Sequence, residues 1–196
     1  GCFMRFLSRG LTGVIVALAL ITAADRASAI VTYDTNLANP GWINGSGTVN
    51  GHFTVDTEAN GVELGLRAAL RFIGPITPTG NIYTAPVGTG PGGAALWNFE
   101  FSVNAGSVAN THSLLSITGP GVNLAFNPQL IPDNSTAGAL YQNSENLGFS
   151  FLAPFISFNP YASGVYTFDL QLFDSGNHQL GEVAIQVNAV PEPSTW

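Results

Sequence analysis

Few residues of this 196-residue chain could do chemistry, and they are scattered. Cations number five, all arginine. Two of these, Arg67 and Arg71, stand four apart, a spacing that would put both on one face of a strand. Such a guanidinium fork binds carboxylates well, so the pair is a candidate receiver for an acidic glycan. The simpler reading is cross-strand pairing with Glu63, Asp56 or Glu58. Asp169, Asp174 and Glu182 could hold calcium through oxygen ligands, yet they show neither EF-hand nor nonapeptide spacing, so turn chemistry is expected at Asp174. His52, His112 and His178 lie far apart beside turn or polar residues, with no H-x-H or H-E-x-x-H, which argues against zinc. There is no G-x-S-x-G elbow, and the single cysteine, Cys2, precedes the body of the chain. A carboxylate pair for glycoside hydrolysis could be chosen only arbitrarily, so no catalytic residue, metal site or cofactor is expected. Two ionisable side chains brought together in a cleft would point back to a hydrolase. Trp42 and Trp97, with Tyr83, Tyr141 and Tyr161, could stack on sugars; Trp97 reads as core, which leaves Trp42, between turns, as the better ligand candidate.

The elements that must position these residues read as strands. With 23 Gly, 12 Pro, 9% charged and 45% hydrophobic residues, the composition suits short strands joined by many turns. Ile30 to Tyr33 is a first strand, and Asn50-Gly51 between Thr48-Val49 and Phe53–Val55 is a strong hairpin signal. Thr57 to Gly61 is a second turn. Over Val62 to Ile73 two patterns compete. Glu63, Arg67 and Arg71 would pair on one helix face, but every even residue from Val62 to Phe72 is apolar, and Gly65 is a poor helix interior. The strand is the better fit. Ile73 to Ala94 reads as a long loop with an edge strand at Ile82-Tyr83. Trp97, Phe99, Phe101 and Val103 alternate with polar residues as a core strand. Leu115 and Ile117, Gly119-Pro120-Gly121, then Val122 to Phe126 form a hairpin. Asn127 to Ala137 is a polar loop, with strands expected at Leu147–Phe151 and Phe155–Phe158. Val165 to Asp174 should run antiparallel to Leu180–Val187. Together these predict an all-β domain over 30–189, an antiparallel β-sandwich of jelly-roll type.

The ends carry different signals. Met4-Arg5-Phe6-Leu7-Ser8-Arg9 is a basic n-region, Leu11 to Ala24 an apolar run, and Ala27-Ser28-Ala29 an A-x-A site, so residues 1–29 read as a signal-peptide helix cut after Ala29. Gly1-Cys2-Phe3 stand upstream of the initiator candidate Met4. Cleavage leaves two of five cations and eleven of twelve acids, a formal charge near −9. That balance argues against nucleic acid and anionic membrane surfaces as partners. It also removes Cys2, so packing rather than disulfides must hold the domain.

After the last strand comes Val190-Pro191-Glu192-Pro193-Ser194-Thr195-Trp196, where proline ends any ladder. This tail resembles the start of the PEP-CTERM sorting signal of exported bacterial proteins. Val62-Glu63-Leu64-Gly65-Leu66-Arg67, Leu96-Trp97-Asn98-Phe99-Glu100-Phe101 and Tyr166-Thr167-Phe168-Asp169-Leu170 look like segments of the same group. The resemblance implies a non-enzymatic protein of the periplasm, cell surface or extracellular matrix of a Gram-negative bacterium, processed by an exosortase-type enzyme and associated with exopolysaccharide. A carbohydrate- or calcium-binding lectin-like module is the alternative, by analogy of fold. The resemblance further implies that a spanning segment of about 20 apolar residues and a basic cluster follow Trp196 in the gene, the only membrane attachment besides the signal peptide.

Overall fold

The computed structural model describes residues 29–38, 41–42 and 49–192. The expected signal segment, apart from Ala29, and the tail from Pro193 through Ser194 and Thr195 lie outside the described residues.

Twelve strands are described: β1 (Ile30–Thr35), β2 (Phe53–Thr57), β3 (Glu63–Leu70), β4 (Gly74–Pro75), β5 (Ile82–Pro86), β6 (Trp97–Asn104), β7 (His112–Gly119), β8 (Val122–Phe126), β9 (Ser135–Ala137), β10 (Leu140–Glu145), β11 (Gly164–Phe173) and β12 (Gln179–Val190). They form two sheets. The first runs β1-β2-β3-β6-β10-β9, with β4 hung on β3; the second runs β5-β12-β11-β7-β8. The result is an all-β sandwich, and the alternation seen in the sequence explains it. Leu64, Leu66 and Ala68 of β3 and Phe99, Phe101 and Val103 of β6 face Phe168, Leu170, Val183 and Ile185 of the second sheet in one core. Trp97 lies 5.5 Å from Tyr166, and Phe99 lies 5.0 Å from Phe168, ring centre to ring centre. Each such side chain contributes roughly 1.5–3 kcal/mol by leaving water. The last hairpin pairs as expected, Thr167 opposite Gln186 and Leu170 opposite Val183.

Four details differ from the sequence reading. First, β5 pairs with β12 in parallel, from Ile82 opposite Gln186 to Pro86 opposite Val190, where only antiparallel pairs were expected. Second, Asn50-Gly51 closes no hairpin, because β2 pairs with β1 and β3 instead. The Asn50 side chain clamps Leu37, accepting from its N–H at 3.0 Å and donating to its carbonyl at 3.0 Å. Third, the chain over Leu147–Phe151 and Phe155–Phe158 is turns and loop, and the strand lies upstream as β10. Asn146 causes this shift. Its amide stands in for a strand neighbour, donating to the Ala95 and Trp97 carbonyls and accepting from the Ala95 and Gly148 N–H groups, so the backbone can leave the ladder. Fourth, both faces of β3 are buried. The segment after β1 folds over its outer face, and Leu37, Phe53, Val55 and Trp42 make a second small core there. A Cβ at Gly65 would stand 2.5 Å from Leu37 Cδ2, which explains a glycine in mid-strand.

Candidate functional site

The two arginines part company. Arg67 is fully buried on the outer face of β3, directly opposite Glu100 of β6. Its Nε donates to Glu100 Oε2 at 2.5 Å, and its Nη1 donates to the carbonyls of Val49 at 2.8 Å and Gly51 at 2.5 Å. The guanidinium lies 4.2 Å from the Phe53 ring centre and 5.2 Å from that of Trp42. Burial pulls its pKa below the ordinary value, against the opposing pull of Glu100. The expected partners Glu63, Asp56 and Glu58 do not meet it, since the register sets Asp56 opposite Leu64 on β2 and Glu100 opposite Arg67 on β6. Glu63 instead accepts from the Ala38 N–H, and Asp56 accepts from the Glu182 N–H at 2.9 Å, tying the two sheets. Trp42 is thus a lid over a buried ion pair. Arg71 lies past the end of β3, donating to the Pro91 carbonyl at 3.0 Å with its guanidinium over Phe72 and Phe149.

Other sequence candidates stay apart. Asp174 accepts from the N–H groups of Gly176 and His178, as turn chemistry predicts, and these bonds hold its carboxyl below its usual value. Asp169 is raised first by burial and then by Glu182. Among the described residues no three histidine, cysteine or acidic side chains gather as metal ligands. His52 pairs with Asp34 at 2.6 Å, His178 with Asp174 at 3.0 Å, and His112 stacks on Phe173. Trp97, Tyr83 and Tyr141 are core residues, while exposed Tyr161 bonds Thr89. No shared stacking platform forms among these five rings.

What the sequence did not single out is a cleft of about 380 Å³ beside β10. Arg71, Asn98, Asp133, Asn143, Ser144, Glu145, Phe149 and Phe151 line it. β9 covers β10 only from Leu140 to Gln142, so beyond that point its outer edge is uncovered. A polar row crosses the sheet here. Glu100 holds Arg67 with one oxygen and accepts from the Ser144 hydroxyl with the other, at 2.9 Å; Ser144 in turn accepts from Asn98 at 2.9 Å. Asn143 donates to Asp133 at 3.0 Å and Asn134 at 3.2 Å, which fixes the loop against the strand. Glu145 is 3% exposed, and its side chain makes no ion pair among the described residues. Burial first, and the charge of Asp133 second, push its carboxyl up to about 7. The Phe149 and Phe151 rings stand 6.2 Å apart on one wall.

Set against protein-family models, curated proteins and solved structures, the chain matches none. The functional reading therefore rests on residues and geometry. A second cavity of about 700 Å³ shares Asp133 and Phe151 with the cleft but is otherwise mostly apolar, lined by Leu124, Phe126, Leu130, Ile131 and Phe155. Among the described residues no helix is long and apolar enough to cross a membrane. The signal that could have exposed the cleft is the alternation of Tyr141, Asn143 and Glu145, side chains on one face of a strand that its polar composition disguised as loop.

Proposed function

We propose that this chain is a non-catalytic exported protein of the PEP-CTERM type that associates with polysaccharide outside the cell. The cleft beside β10 carries the reading. Aromatic rings at Phe149 and Phe151 offer a sugar face, while Asn98, Ser144 and Glu145 offer hydrogen-bonding groups around it, the usual composition of a sugar site. The tail supports the export half of the proposal. β12 ends at Val190, and Pro191 and Glu192 follow as exposed chain outside the sheet, where an exosortase-type enzyme would need them. Glycan-array binding, with and without calcium, tests the first half; binding to no glycan in either condition would overturn it. Fractionating cells that carry Glu192→Ala in the natural gene tests the second, and unchanged surface display would overturn that half.

One observation favours a second reading. Asp133 and Glu145 share the cleft, and two carboxyls, one of them raised by burial, are what a glycoside hydrolase uses as acid and base. Release of reducing ends from a bound glycan, abolished in Glu145→Gln, would replace the non-catalytic reading with this one.

A further inference from the structure

We propose that the cleft beside β10 selects polysaccharide carrying free, protonated amino groups, an amino-sugar polymer, with the ammonium seated between Glu145 and Asp133. The inference rests on the carbohydrate reading above and names its ligand class. Glu145 is a buried carboxyl with no cationic partner among the described residues. From residue 29 onward the chain has only two cations, Arg67 and Arg71. Arg67 is committed to Glu100, and Arg71 is held by the Pro91 carbonyl and two phenylalanine rings; neither forms an ion pair with Glu145. A buried carboxyl gives up its proton readily only when its charge is paired, so a cation that ionises Glu145 would come from outside.

The walls decide what kind of cation fits. Calcium takes six to eight oxygens, roughly speaking, and usually several carboxylates; two acids line this cleft besides Glu100, which already serves Arg67 and Ser144. An ammonium has three donors, which two carboxylates and a neighbouring amide or hydroxyl oxygen can meet. Phe151, 51% exposed, and Phe149 give the attached ring an apolar face to lie on. A uronic acid would meet Glu145 and Asp133 with like charge. A neutral or N-acetylated sugar brings no charge for an ionised Glu145 to pair with. Over residues 30–196, cleft included, eleven acids against two cations give a field that draws in a polycation.

Calorimetry with a glucosamine oligomer, against the same oligomer fully N-acetylated, tests the proposal on the folded chain. The free-amine oligomer should bind at least tenfold more tightly. Glu145→Gln should lose most of that preference, and so should Asp133→Asn, whose exposed side chain can change without disturbing the core. Glu182→Gln alters net charge equally on another strand and should keep the preference. Equal binding of both oligomers would overturn the inference while leaving the carbohydrate reading intact. Binding of neither would overturn both. An equal loss in Glu182→Gln would mean diffuse surface charge, and the site would fall.

Discussion

Glu145→Gln should stabilise the protein at pH 8 and leave it nearly unchanged at pH 4. The native state holds this carboxyl at about 7, while an ordinary glutamate titrates at 4.5. Between those values the unfolded chain has released its proton and the folded chain has kept it, so raising the pH favours unfolding. Below 4.5 both states are protonated and Glu145 adds no pH dependence. Above 7 both are ionised, and the folded state bears the full penalty of a largely buried charge beside Asp133. At about 1.4 kcal/mol for each pH unit, that interval amounts to roughly 3 kcal/mol. Glutamine matches the protonated acid in shape and cannot ionise, so it removes the penalty. Urea unfolding of both proteins at pH 4 and pH 8 reads it directly. Asp133, Arg71 and Glu100 line the same cleft and are present in both proteins. The variant's advantage should grow by about 3 kcal/mol from the lower pH to the higher. An advantage that is the same at both would show that Glu145 titrates as an exposed acid, and the argument from burial would fail.

Arg67→Met should cost about 3–5 kcal/mol, because it strands Glu100 as a buried charge. A loss below about 1 kcal/mol in urea unfolding would put Arg67 among ordinary surface ion pairs. Gly121→Ala should lower the denaturant midpoint by an amount equivalent to roughly 1–3 kcal/mol. Gly121 sits at φ +70°, and a methyl there would run into the Ser157 carbonyl. An unchanged midpoint would show that the chain around Ser157 does not dock on the β7–β8 hairpin.

Much of the sandwich was legible because its inward strands alternate without interruption. Trp97, Phe99, Phe101 and Val103 leave little room for another reading, and neither does the run from Tyr166 to Leu172. The helical pattern of Glu63, Arg67 and Arg71 misleads, while the even apolar positions of β3 report the core. Errors came where a side chain replaced a backbone neighbour. Asn50 clamps Leu37 rather than turning a hairpin, and Asn146 ends β10 while supplying a strand's hydrogen bonds itself. Periodicity is blind to such substitutions. Leu147, Phe149 and Phe151 alternate as a strand would, yet they line turns. The cleft was illegible for a related reason. Asp133 and Glu145 line one cleft where β9 stops short along β10, and Arg67 finds Glu100 thirty-three residues away. Those are facts of register, which composition does not encode.

The parallel pairing of β5 with β12 also sets an order of events in folding. β5 is complete by residue 86, but its one strand partner among the described residues begins at residue 179 and meets it from Gln186 onward. Chain closure across such separations is slow and cannot begin until the far partner exists. During synthesis β5 therefore waits, unpaired along both edges, while nearly a hundred residues are added behind it. The second sheet cannot close on β5 before β12 arrives. Its final strand acts as the latch that commits it to a shape. The same delay leaves β5 open to foreign strands, and its two ends, Ile82 and the ring of Pro86, are the residues that must discourage them.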